Sequence, residues 1–133
     1  MATITREQLN RINTMCSNGW KFDLDLFLSH NEKTLMKHIK IDDEHYLEYK
    51  LEFNYDKQIV LHISKFYHKP QTQYATTHGM GKCKVLVESP AKRKDLKKLI
   101  LLTKDLTDEQ LLDINKNTHV STGHGLIVQS EDF

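Results

Sequence analysis

Two triplets of the form His-x-Ser stand far apart in the chain, His62-Ile63-Ser64 and His119-Val120-Ser121. Two imidazoles and two hydroxyls are the working set of a two-histidine phosphoesterase. One imidazole takes the proton of the nucleophile, the other protonates the leaving oxygen, and the hydroxyls hold the phosphoryl oxygens. Cleavage of a cyclic nucleotide by His62, Ser64, His119 and Ser121 is therefore the catalytic alternative. Against it, the chain has eight histidines, so such triplets also arise by coincidence, and it does not divide into two similar lobes. No other nucleophile and base announce themselves, and the leading expectation is a binder that is not an enzyme.

The stretch "TTHGMGK", Thr76 to Lys82, raises the question of a phosphate cradle. A Walker loop requires GxxxxGK[ST] directly before a helix, so that several amides converge on the phosphates. Gly79-Met80-Gly81-Lys82 leads instead into Cys83 and a β-like run, and it is not such a loop. Two glycines can still leave amides pointing into a small nest, with His78 and Lys82 favouring an anion. A turn that needs positive φ is the simpler use of the same residues.

Charge sharpens the reading. The net charge of the 133 residues is +1, yet Lys65 to Lys98 holds nine Lys or Arg against Glu88 and Asp95, a balance of +7, which leaves the remainder at −6. Phe66, Tyr67 and Tyr74 lie among these cations, and flat rings beside ammonium groups are what holds a base and its phosphate. The expected ligand-binding residues are Lys65, Phe66, His68, Lys69, Tyr74, His78, Gly79, Gly81, Lys82, Lys84 and Arg93. The expected partner is a phosphate-bearing small molecule, a nucleotide. Double-stranded DNA is not expected, since no helix-turn-helix signature is present and only three arginines are available to read bases. Cys16 and Cys83 have no CxxC spacing, so both are read as reduced thiols, and neither a metal nor a cofactor is expected.

The elements that must position these residues are legible in the periodicity. In "ITREQL", Thr5 and Gln8 form a capping box, and Ile4 and Leu9 form a hydrophobic staple, so a helix starts at about Arg6 and stops at Ser17-Asn18-Gly19. "LTDEQL" repeats the device with Thr107 and Gln110 and predicts a helix over about Asp108 to Asn115. Ser89 and Pro90 are read as N-cap and first residue of a helix that buries Leu96, Leu99, Ile100 and Leu102. Between the helices the period becomes two. "WKFDLDLF" is read as the first strand, "TLMKHIKI" as the second, "YLEYKLEFNY" as the third with Leu47, Tyr49, Leu51 and Phe53 inward, and "QIVLHISKFY" as the fourth. The joints "DDEH" and "NYDK" are short, which makes the strands an antiparallel meander. "YATT" and "KCKVLVE" add one or two more strands. The sum is one α+β domain over residues 1–133: an N-terminal helix, a meander of four to six strands, two C-terminal helices on one face, and a polar tail from about residue 117.

No apolar run reaches the ~18 residues of a membrane span, and no secretory leader is read at the N-terminus. The expected location is the cytoplasm, that of the host if the source is a virus.

In its small size, its sheet followed by terminal helices and its basic loop region, the chain resembles compact phage counter-defence proteins, in particular the Thoeris anti-defence family that sequesters cyclic nucleotide signals. The likeness is one of architecture over most of the chain, and no residue roles are carried over from it. It implies a non-catalytic sponge, oligomeric, with pockets shared between protomers. Alternatives are the phosphoesterase above and a protein-binding inhibitor of a host defence nuclease.

Overall fold

The computed structural model describes residues 3–69, 74–77, 81–118, 120–121 and 127–128, with the backbone alone at 67–69, 74–77, 120–121 and 127–128. Helix α1 (Arg6–Met15) opens as its sequence requires. The Thr5 side chain accepts from the Gln8 amide, and the Gln8 side chain accepts in return from the Thr5 amide. The turn after it passes through two left-handed residues, Asn18 at φ 57 and Gly19 at φ 81. Ser17 and Asn18 anchor this turn to Thr103, through the Ser17 amide to Thr103 Oγ1 at 2.9 Å and Asn18 Nδ2 to the Thr103 carbonyl at 2.7 Å.

The segment expected as the first strand is mostly a helix. Only Lys21–Phe22 is extended (β1), and α2 (Leu24–His30) follows at once. Asp23 overrides the alternation, because its Oδ1 accepts from the Leu26 amide at 3.1 Å and so caps the helix. Asn31, left-handed at φ 54, ends it. Phe27 is thereby swung into the core against Phe22, with ring centroids 5.4 Å apart.

Strands β2 (Leu35–Lys40), β3 (His45–Phe53) and β4 (Ile59–Lys69) form the expected antiparallel meander beside β1. Asp42 sets the first turn by accepting from the Glu44 and His45 amides, both at 2.8 Å. Asn54 and Gln58 clamp the second, where Lys57 is left-handed at φ 61. The other edge of β4 is shared. β5 (Tyr74–Thr77) pairs with Phe66–Lys69, and β6 (Lys82–Val87) pairs with Ile59–Ile63. Strands β5 and β6 thus lie end to end along β4 rather than as a hairpin, giving a six-stranded sheet with five positions across.

Alternation divides the sheet. Leu35, Leu47, Tyr49, Leu51, Leu61 and Ile63 point to one face and are fully buried there. Against them pack α3 (Leu96–Leu102) and α4 (Asp108–Lys116), through Leu99, Ile100 and Leu111, together with Leu106 of the connection between the two helices. Buried polar tips reach across this interface to main-chain carbonyls: Trp20 Nε1 donates to Leu106 O in the α3–α4 connection, and the Tyr49 hydroxyl to Leu111 O of α4, both at 3.1 Å. The fold is α+β, with two C-terminal helices on one sheet face as the periodicity predicts.

Helix α3 starts later than expected, at Leu96 with Asp95 as its cap, not at Ser89-Pro90. The Ala91 amide donates to the Lys57 carbonyl at 3.0 Å, so this segment is stitched to the β3–β4 turn instead of winding. Beyond α4, Val120–Ser121 (β7) pairs with Ile127–Val128 (β8), a short ladder within what was expected to be a polar tail. Among the described residues no helix is long and apolar enough to cross a membrane.

Candidate functional site

The members of the expected basic cluster whose side chains are described, Lys65, Phe66, Lys82, Lys84 and Arg93, do not share one surface. Lys82 is buried to 1% exposure in the sheet–helix interface, and its Nζ donates to the Asn115 backbone carbonyl at 2.7 Å and to Asn115 Oδ1 at 2.6 Å. Burial lowers its pKa to about 8. Lys65 pairs with Leu47 on the helix-bearing face, whereas Phe66 pairs with Tyr46 on the opposite one. Lys84 is opposite Leu61 and exposed. Arg93 is exposed in the segment stitched to the β3–β4 turn. That turn adjoins Ile59, seven residues along β4 from Phe66, or about 23 Å at the usual rise of ~3.3 Å per residue.

Gly81 is fixed by close approach rather than by φ. A Cβ there would meet the Ile63 carbonyl at 3.3 Å and Ser64 Oγ at 3.5 Å. Backbone pairing sets His68 opposite Ala75, Lys69 opposite Tyr74 and Ser121 opposite Ile127. Their side chains, and the whole of His78, Gly79 and His119, lie outside the described residues.

What the fold does bring together is the open face of the sheet, away from α3 and α4. The outward residues of β3, Tyr46, Glu48, Lys50 and Glu52, register against Phe66, Ser64, His62 and Val60 of β4, and the face is closed over at the last of these, since Val60 is 1% exposed. Tyr46 and Phe66 lie ring on ring, 5.3 Å between centroids and 9° between planes. His38 of β2 extends the row, 4.9 Å from Tyr46. Burial raises the Tyr46 hydroxyl, with the Glu48 charge adding to it, so it remains a neutral donor.

A chain of charges runs beside the aromatic row. Glu48 accepts from His38 Nε2 at 3.0 Å and lies 3.7 Å from Lys50 Nζ, which reaches over β2 to Asp23 Oδ2 at 3.1 Å. A cleft of about 400 Å³ between this chain and α2 is lined by Asp23, Asp25, Ser29, His38, Glu48 and Lys50. Its carboxylates outnumber its cations, so it offers acceptors to N–H donors more readily than it offers charge to phosphate.

Further along, His62 Nε2 bonds Glu52 Oε1 at 2.7 Å and lies 3.9 Å from Cys83 Sγ. This Cys–His–Glu cluster is not a nucleophilic triad. The same imidazole nitrogen faces both partners, whereas a triad uses one nitrogen for each. Burial and the Glu52 charge also raise the Cys83 thiol, keeping it protonated. Burial holds Cys16 at about 11. Among the described residues no group of His, Cys, Asp and Glu is arranged to hold a metal ion.

The hydrogen bond to Glu52 raises the pKa of His62; burial and the Lys50 charge oppose it, and the Glu52 charge adds to the rise. Because the folded value lies above the ordinary 6.5, this pair stabilises the fold fully below that pH and fades as pH rises through the folded value. In Glu52→Gln the His62 midpoint, followed by ring-proton NMR, falls back toward 6.5. An unmoved midpoint would remove Glu52 as its cause.

Sequence reading singled out His62, Ser64 and Phe66 on this face and missed Tyr46, His38, Glu48, Lys50 and Glu52. The signal for the β3 residues was present, since naming Leu47, Tyr49 and Leu51 as inward leaves these as the outward set. No protein-family model, curated protein or solved structure matches the chain.

Proposed function

We propose that the open sheet face binds a small ligand that carries a planar base, a nucleotide, and holds it without turnover. The observation that carries this reading is the Tyr46–Phe66 stack on a sheet face left uncovered by α3 and α4. Tyr46 has Phe66 and His38 as ring neighbours, so a base joins the row at the Phe66 ring, where stacking is worth ~1–3 kcal/mol per base. The adjacent Glu48 carboxylate suits the exocyclic amines of a base edge.

The charge pattern limits the size of the ligand. A polynucleotide needs a track of cations along its backbone, whereas the outward residues here alternate Glu48 and Glu52 with Lys50, and Lys50 is already held by Asp23 and Glu48. A nucleotide or cyclic nucleotide fits better than a strand. Sequestration of an immune signal, as the anti-defence resemblance implies, would need no more than this.

The phosphoesterase alternative rests on His62 and Ser64 sharing this face. A resting general base must be neutral, and the Glu52 bond favours the charged imidazole instead. Incubation with linear nucleotides, cyclic dinucleotides and cyclic ADP-ribose derivatives, followed by heat release and chromatography, tests both readings. Binding with intact recovery is expected. Tyr46→Ala and Phe66→Ala each weaken it about 5- to 150-fold, the equivalent of ~1–3 kcal/mol. Product that disappears in His62→Ala would establish the enzyme instead. Affinity unchanged in both aromatic variants would place the ligand elsewhere, and no depletion of any compound would favour a protein-binding inhibitor.

A further inference from the structure

Helix α1 buries none of its residues fully, and Ile4, Ile12 and Leu96 around it are only partly covered. The reason is a groove of about 320 Å³ beneath it, walled by Ile4, Ile12, Phe22, Phe27 and Leu96. That is roughly twice the ~150 Å³ that accommodates a benzene ring, and it falls within the ~300–1,000 Å³ range of small-molecule pockets. Its charged lining residues are Arg11 and Lys33, and no carboxylate lines it among the described residues.

We propose that this groove binds a small apolar monocarboxylate, an aliphatic or aromatic acid. Its apolar body lies against Ile12, Phe22 and Phe27, and its carboxylate meets Arg11 and Lys33. Both cations are available for the role. The only ion pair of Arg11 among the described residues is with Glu7, at 3.6 Å between two well-exposed side chains, an interaction readily exchanged for a bidentate one. Lys33 is exposed and has no ion pair among the described residues. Specificity for one carboxylate follows from what lies past Lys33, where a second cleft is lined by Glu32 and Glu52 as well as Lys94. A second anionic group would meet those carboxylates. The site is separate from the open sheet face and does not depend on the nucleotide reading.

Titration of the full chain with octanoate, octanol and octylammonium, followed by amide chemical shifts, tests the proposal. Octanoate is expected to give saturable shifts at Ile4, Arg11, Ile12, Phe22 and Leu96 at up to millimolar concentration, with octanol and octylammonium about tenfold weaker or worse. The double variant Arg11→Gln, Lys33→Gln alters two exposed side chains and gives up only the exposed Glu7 pair, so its thermal midpoint should stay close to wild type while octanoate affinity falls by about tenfold or more. Ile12→Phe, which fills the groove, should block octanoate in a chain that still shows the native spectrum. Equal affinity for octanol and octanoate, shifts that track protein concentration, or no saturable shift would each overturn the assignment.

Discussion

Lys82→Ala is expected to lower the free energy of unfolding by about 3 kcal/mol, the scale of a buried side chain lost together with two hydrogen bonds. Lys82 sits in the interface between β6 and α4, where its ammonium meets the Asn115 carbonyl and side-chain oxygen. Lys82→Met keeps the apolar stem and should cost less. The pH dependence separates these variants from a simple packing defect. Burial lowers the folded pKa of Lys82 to about 8 from the ordinary 10.5, so the unfolded chain binds more protons between those values, and stability rises with pH across that window. A neutral amine still has two hydrogens for the two oxygens, so deprotonation removes a buried charge and keeps the contacts.

The rise should be on the order of 1–2 kcal/mol between pH 8 and 10, at ~1.4 kcal/mol per unit. It should vanish in Lys82→Met. Tyr49 acts in the opposite direction only at higher pH: burial and the Asp108 charge push its hydroxyl well up, so its contribution is lost above the ordinary 10.0. Urea midpoints of both proteins at pH 7, 8, 9 and 10 decide the matter. A constant difference across the series would mean that Lys82 does not titrate in this window. The same variants bear on function, because a lysine that grips phosphate from the surface would lose ligand and leave stability untouched.

Lys82 also shows where charge counting stops being informative. A balance of +7 over Lys65–Lys98 is a property of the chain, whereas a patch is a property of a surface. Strand alternation sends Lys65 and Phe66 to opposite faces, the β6 register sends Lys82 inward, and the Ala91–Lys57 bond holds the segment bearing Arg93 at the far end of β4. The first of these is legible in the alternation of the strand, whereas the other two are not local in sequence. By contrast, α1 and α4 announced themselves locally, since Thr5 and Thr107 are caps whose partners lie three residues away. The meander was legible for a related reason: Asp42 and Asn54 close the turns joining β2–β3 and β3–β4, and once they close, the pairing of Leu51 with Leu35 and Leu61 follows. The aromatic row required that pairing. Tyr46 and Phe66 are 20 positions apart in the chain and become neighbours only when β3 and β4 are set in register.

Asp23 is the residue at which a local signal was read for the wrong element, and the size of its effect is the remaining large prediction. Its Oδ1 caps α2 and its Oδ2 holds Lys50, while the residue itself is 6% exposed. Burial pulls the Lys50 ammonium down, but the hydrogen bond to Asp23 and the charges of Asp23, Glu48 and Glu52 together raise it above its ordinary value. Asp23→Ala therefore removes a helix cap, at about 1 kcal/mol, and leaves a half-buried cation short of its principal partner, for a combined loss of about 2–4 kcal/mol. Asp23→Asn separates the two roles, because an amide oxygen still caps while the charge is gone. The Asn variant should recover most of the cap, and adding Lys50→Met to it should cost little further, since the pair is already broken. Equal midpoints for the Ala and Asn variants would show that the cap contributes nothing. A wild-type midpoint for Asn would show the same of the ion pair. The outcome reaches the candidate site directly: Asp23 fixes the start of α2, which forms one wall of the cleft beside the aromatic row, and Lys50 forms the other with Glu48. If the open face binds a base as proposed, Asp23→Asn should weaken that binding, because Lys50, released from Asp23, pairs more closely with Glu48 and occupies the carboxylate offered to the base, even at a temperature where the variant remains folded.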